Sequence, residues 1–167
     1  MGSVKFTVIG VPSQQAGMRS VPIKTKSGKQ FTRQITTGGK NLKSWRAEVS
    51  DAAMAEVERV GCMHGPLYVR MEFRFPMPKS RPKWMRDRGI AIKVSAPDTD
   101  KLIRAIGDSL TVAGLIPDDA PIADVRATKV EVWEAWTGVV IEIVQLDQLT
   151  MFGRPAPASI DGQGSLL

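Results

Sequence analysis

A chain of 167 residues is long enough for one domain with a real core and too short for two comfortable ones. Its single cysteine, Cys62, excludes an internal disulfide and a Cys-rich zinc site, and its single histidine, His64, argues against His-centred triads and multi-His metal clusters. The net charge of +6 is unevenly spread: residues 1–50 carry nine Lys or Arg against Glu48 alone, residues 69–93 eight against two acids, and residues from 97 onward five against eleven.

Val4–Ile9 alternates and is β-branched, which predicts a first strand. Residues 12–40 are polar and rich in Gly, Ser, Lys and Arg. Within them Val21–Thr25 and Gln30–Arg33 suit a short hairpin around Ser27-Gly28. A helix is expected from about Asn41 to Val60, with Trp45, Val49, Ala52, Ala53, Val57 and Val60 on one face and Gly61 ending it. Leu67–Phe75 alternates as a half-buried strand, and Pro76–Gly89 reads as a basic, proline-broken loop, the most mobile segment expected. Ile90–Val94 extends or pairs a strand. A second helix follows Pro97 and runs to about Ala113, burying Leu102, Ile106, Leu110 and Ala113, and Gly114 closes it. Ile122–Val132 and Val139–Val144 read as two strands joined near Thr137-Gly138, and they are expected to pair. The order predicts a single compact α+β domain with a mixed sheet and two main helices over residues 1–147. Residues 148–167 are expected to be a flexible tail, in which Gly153–Leu167, rich in Gly, Pro and Ser, is expected to be disordered. No apolar run is long enough for a membrane span and no signal peptide is evident, and the single cysteine leads to the expectation of a reducing, cytoplasmic setting.

The charge distribution suits a basic surface for a polyanion joined to an acidic segment able to hold cations. The acidic segment is Pro97-Asp98-Thr99-Asp100-Lys101-Leu102, then Asp108, then Pro117-Asp118-Asp119. If Asp98 is still extended where the chain enters the helix, its carboxylate and that of Asp100 can converge near the helix start. The turn at Gly114 then returns Asp118 and Asp119 toward the sheet. Hard divalent cations such as Mg²⁺ take carboxylate and water oxygens, and phosphoryl transfer uses one or two such ions. The structural alternative is that Asp98 or Asp100 is a helix N-cap and Asp118-Asp119 are ordinary turn acids.

The run PDTDKLIRAIGDSLTVAGLIPDDAPI, followed by Lys129, resembles the signature of the RusA family of Holliday-junction resolvases, without a gap from Asp98 to Asp119. That signature has an Asp-x-Asp pair, a helix with an internal acid, a Gly, and an Asp-Asp pair before an Ile-containing strand. The resemblance implies that Asp98, Asp100 and Asp119 bind Mg²⁺, with Mn²⁺ as an alternative, and that Asp108 has a structural or supporting role. It implies a crossover junction endodeoxyribonuclease of bacterial or phage origin, acting as a homodimer on branched DNA in recombination, repair or replication. Lys101 stands where the family commonly has Asn, and Arg104 where it often has Lys, so both are candidates for the catalytic cation, Arg as a planar fork that does not readily donate a proton. Two rival readings are a non-enzymatic, structure-selective DNA-binding module and a nuclease of the same fold acting on flaps or forks.

Elsewhere, Lys24, Lys26, Lys29 and Arg33 suit phosphate contacts without sequence specificity. In Arg81-Pro82-Lys83-Trp84-Met85-Arg86 the basic residues Arg81, Lys83 and Arg86 flank Trp84, which can stack on an unpaired base or cover a core edge. Trp133 and Trp136 suit a core or dimer surface, and Cys62 and His64 are assigned no chemistry. Finally, Gln148, Leu149, Met151 and Phe152 resemble the short peptide with which bacterial replication and repair proteins bind the sliding clamp. The alternative is that 148–152 finishes the last strand.

Overall fold

The computed structural model describes residues 2–15, 17–24, 30–37 and 41–146. In chain order the elements are β1 (Ser3–Ile9), β2 (Gly17–Lys24), β3 (Gln30–Thr37), α1 (Leu42–Val60), β4 (Leu67–Pro76), α2 (Lys83–Asp87), β5 (Ile90–Ile92), α3 (Thr99–Val112), β6 (Ile122–Val132) and β7 (Gly138–Gln145). β2 and β3 pair with each other as a two-stranded antiparallel sheet. The other five strands form one mixed sheet in the order β1-β7-β4-β6-β5.

β4 is central because its alternation is complete. Leu67, Val69, Met71, Phe73 and Phe75 are buried on one face, while Tyr68, Arg70, Glu72 and Arg74 are half-buried on the other. This strand separates β6 from β7, which sequence order had suggested as partners. β4 pairs in parallel with β6 and antiparallel with β7. A strand apolar along its whole inner face gains most from two flanking strands, and the Trp133–Thr137 connection spans the gap that this opens.

α1 and α3 pack on each other and on the face that carries the buried β4 residues. Trp45, Val49 and Ala53 of α1 meet Leu102, Ile106 and Leu110 of α3 within one cluster with Val4, Phe6 and Ile141. Ala52, Val57, Val60 and Ala113, expected on the inner faces, are only partly buried against it. Ser50 Oγ donates to Ser109 O at 3.1 Å, and Arg46 reaches Asp108 at 3.5 Å, so the polar edges of the helix pair are joined as well. Gly61 ends α1 with φ 73°, a conformation that costs glycine little.

The segment 76–89 carries more structure than a mobile loop. It contains α2, and Arg81 bonds the buried Glu131 of β6 twice, at 2.7 and 2.9 Å. Among the described residues no helix is long and apolar enough to cross a membrane.

Candidate active site

The turn into α3 lies beside Lys129, in the carboxyl half of β6. Lys129 of β6 donates from Nζ to Pro97 O at 2.7 Å and to Ser95 O at 3.0 Å, which ties the turn preceding α3 to the sheet. Lys93 N–H donates to Lys129 O at 2.9 Å, so β5 feeds directly into this turn.

Asp98 occupies the N-cap position of α3 with extended backbone, φ −71° and ψ 136°. An N-cap Asp ordinarily accepts a hydrogen bond from the first turn of its own helix. Asp98 makes no such bond. Its carboxylate instead accepts from Lys101 Nζ at 2.6 Å, half exposed to solvent. The Lys101 hydrogen bond and charge hold the Asp98 carboxyl below the usual carboxylate range, with a smaller effect from the charge of Lys129. The same pairing raises the Lys101 ammonium, with Asp100 adding to it. The positive end of α3 favours Asp98 and Asp100 in this place.

Asp100 sits in the first turn of α3, exposed. Asp119 stands farther along: its Cβ is 4.0 Å from where a Cβ on Gly107 would be. Gly107 and Asp100 are seven residues apart on one line of the helix, an axial rise of roughly 10 Å. The 115–121 turn is set there by buried Leu115 and Ile116 and by its own bonds. In it Asp118 accepts the Asp119 N–H at 2.7 Å, and Asp119 O accepts from Ile122 N–H at 3.0 Å. Asp100 and Asp119 therefore lie along one line of α3, with Asp98 at its N-cap. Among the described residues no three His, Cys, Asp or Glu side chains are grouped as a metal site. The donor chemistry nevertheless fits a hard cation: exposed carboxylates, no thiol or imidazole in the set, and a lysine ammonium already drawn to Asp98. Arg104 is exposed one turn beyond Lys101, and Asp108 is engaged with Arg46 of α1.

The three basic residues named around Trp84 all have intramolecular partners. Arg81 is bound to Glu131, and the Arg86 guanidinium lies 5.1 Å from the centroid of the Trp133 ring. Lys83 pairs with Asp87 at 2.7 Å on the surface, and Trp84 is 62% exposed. Trp136 is covered by Arg74 at 4.1 Å. Cys62 and His64 are exposed, and the carbonyl of His64 accepts from Gln145 Nε2 at 2.5 Å. Lys26 and Lys29 lie outside the described residues, as do Gln148, Leu149, Met151 and Phe152; of Lys24 and Arg33 only the backbone is described, in β2 and β3.

Three residues with no role assigned from sequence belong to this region: Gln14, Lys129 and Glu131. Gln14 Oε1 accepts the Asp98 N–H at 2.7 Å. Lys129 and Glu131 had a readable signal. They stand in register with Phe73 and Phe75 of β4, so two charges occupy the inward parity of a strand. Gln14 lies in an irregular segment after β1 and leaves no periodic trace.

A family model described as Endodeoxyribonuclease RusA matches residues 18–144. No match to a curated protein was found. The matched region runs from β2 to β7 and includes every aspartate discussed above.

Proposed function

The chain belongs to the RusA endodeoxyribonuclease family, and from that premise we propose that it is a Mg²⁺-dependent enzyme that resolves four-way DNA junctions by paired cuts. The observation that supports this most is the carboxylate of Asp98, which stands at an N-cap position yet leaves its helix uncapped and is half exposed, bonded to Lys101. An aspartate serving only as a cap ordinarily bonds the first turn of its helix.

Asp98, Asp100 and Asp119 are the residues that would hold divalent cations, one or two ions at this side of α3, Mg²⁺ with Mn²⁺ as an alternative. A bound Mg²⁺ supplies an attacking water of lowered pKa and neutralises charge building on the scissile phosphate. Lys101 and Arg104 offer the phosphate oxygens two cations one turn apart: an ammonium as a point charge and a guanidinium as a planar fork. Asp108, engaged with Arg46, keeps α3 registered on α1 and takes no part in the chemistry.

Substrate is held by charge. Lys24, Lys26, Lys29, Arg33 and Lys83 contact phosphates, while exposed Trp84 offers a stacking face for an unpaired base at the branch. Arg81 and Arg86 act from within, fixing α2 and therefore Trp84. Two symmetric cuts call for a twofold homodimer with both sites turned to one junction. The enzyme works in the cytoplasm of a bacterium, host- or phage-encoded, with residues 148–167 as a tail outside the nuclease domain. The test is cleavage of a labelled four-way junction, with and without Mg²⁺, by the parent protein and Asp98→Asn. Cutting of flaps or forks in preference to the junction would keep the nuclease and overturn the resolvase.

A further inference from the structure

The turn at residues 95–98 is held from two sides by residues with no part in the chemistry described above. On one side is Lys129. Its ammonium has three donors, and two of them go to the carbonyls of Ser95 and Pro97, at 3.0 and 2.7 Å. Lys129 shares its strand face with Ala127 and Glu131 and is in register with Phe73, a position where a β-strand ordinarily carries an apolar side chain. A charge there must be justified by what it binds. Both carbonyls belong to the two residues that matter for the path of the chain into Asp98.

On the other side is the segment after β1. Gln14 Oε1 accepts the backbone N–H of Asp98 at 2.7 Å, and Gln15 N–H donates to Lys101 O at 3.0 Å. Residues 14 and 15 thus follow the first turn of α3, bonded at its beginning and at Lys101. The carbonyl before Asp98 is held by Lys129 and its own amide by Gln14. With both groups fixed, the extended backbone of Asp98 is set from outside the helix, and the carboxylate faces Lys101 rather than the free amides of the first turn.

We propose that Gln14 and Lys129 are positioning residues that clamp the 95–98 turn and so present the Asp98 carboxylate outward for catalysis. This rests on the assignment of Asp98 to the active site. Without the clamp the turn relaxes and Asp98 is free to cap its own helix, the role for which Asp is favoured at this position. Misplacing a reacting group by about 1 Å can cost on the order of 10²-fold in rate, and the clamp acts on that scale.

The test uses full-length Gln14→Met, Lys129→Met, Lys129→Arg and Asp98→Asn, with three readouts: kcat on a four-way junction, junction Kd in Ca²⁺, and amide exchange at Asp98 and Lys101 in the metal-free protein. Gln14→Met and Lys129→Met are expected to lower kcat by on the order of 10- to 100-fold with junction Kd unchanged. Amide exchange at Asp98 should accelerate in Gln14→Met, and Lys129→Arg, which keeps donors for both carbonyls, should recover most of the rate. Parent-like rates and exchange in both Met variants, beside an inactive Asp98→Asn, would overturn the clamp and leave the site standing. A loss of kcat matched by an equal loss of affinity would make Lys129 a DNA contact and overturn the clamp equally. Normal cutting by Asp98→Asn would instead remove the site itself. If Lys129→Met does not fold, Gln14→Met decides, because residue 14 lies in a surface segment.

Discussion

Replacing Glu131 by Gln tests whether α2 and the turn into the site are fixed by one buried carboxylate. Glu131 is 1% exposed and takes Arg81 Nε at 2.7 Å, Arg81 Nη2 at 2.9 Å and Lys93 Nζ at 3.4 Å. Gln keeps the volume, but it turns an NH₂ toward a donor and removes the charge opposite two cations. Breaking a fully buried pair costs about 3–5 kcal/mol. Arg81 is about one third exposed and keeps part of its hydration, so the lower side applies, roughly 2–3 kcal/mol. For a chain of this size that is a fall in Tm of roughly 5–10 °C, or a matching drop in urea midpoint. The Arg81 hydrogen bond, helped by the charges of Arg81 and Lys93, holds the Glu131 carboxyl below its ordinary value against the opposing effect of burial. A depressed carboxylate contributes fully above the unfolded value near ~4.3 and loses that contribution as pH falls through the folded one. The gap between parent and Glu131→Gln should therefore be constant near neutrality and close as pH drops below the ordinary carboxylate range. Equal urea midpoints at pH 7, or a gap that does not close in acid, would refute the reasoning.

Gly138→Ala should destabilise the fold by more than ~2 kcal/mol, since φ is 148° and a Cβ there would drive into the Val8 carbonyl of β1; urea denaturation measures it. Junction affinity should fall steeply with salt, and each neutralised contact among Lys24, Lys26, Lys29 and Arg33 should flatten the log–log slope by about one. Leu149→Ala with Phe152→Ala should abolish binding to a bacterial sliding clamp while leaving cleavage of a free synthetic junction unchanged. Unfolding of that double variant, or no clamp affinity in the parent, would place 148–152 with the domain core.

Strand β4 and helix α3 were legible because their apolar positions repeat with the period of the element, and Leu67–Phe75 and Leu102–Leu110 meet in one core. Pairing was less so. Periodicity shows which face of β6 and β7 is inward but not that β4 stands between them, which depends on all five strands together. The aspartates of the candidate site were legible as residue types at a spacing. Their relative placement was not: Asp119 lies beside Gly107 because Leu115 and Ile116 bury where they do. Arg81 and Arg86 looked like surface charges, and only tertiary contacts reveal that Glu131 and Trp133 engage them. Gln14 acts through a single hydrogen bond across 84 positions of sequence, which no local pattern records.

The central claim is that the carboxylates along α3 recruit the cation that cuts DNA. Its most direct measurement is the Mg²⁺ dependence of four-way junction cleavage for the parent protein and for Asp98→Asn, Asp100→Asn and Asp119→Asn, beside junction binding and thermal unfolding. Asn keeps the volume of each side chain and removes the charge. Each variant should bind the junction and unfold like the parent, yet cut at least ~10²-fold more slowly at any Mg²⁺ concentration. Near-parental cutting by Asp98→Asn or Asp100→Asn, or cutting by the parent that persists in excess EDTA, would contradict it.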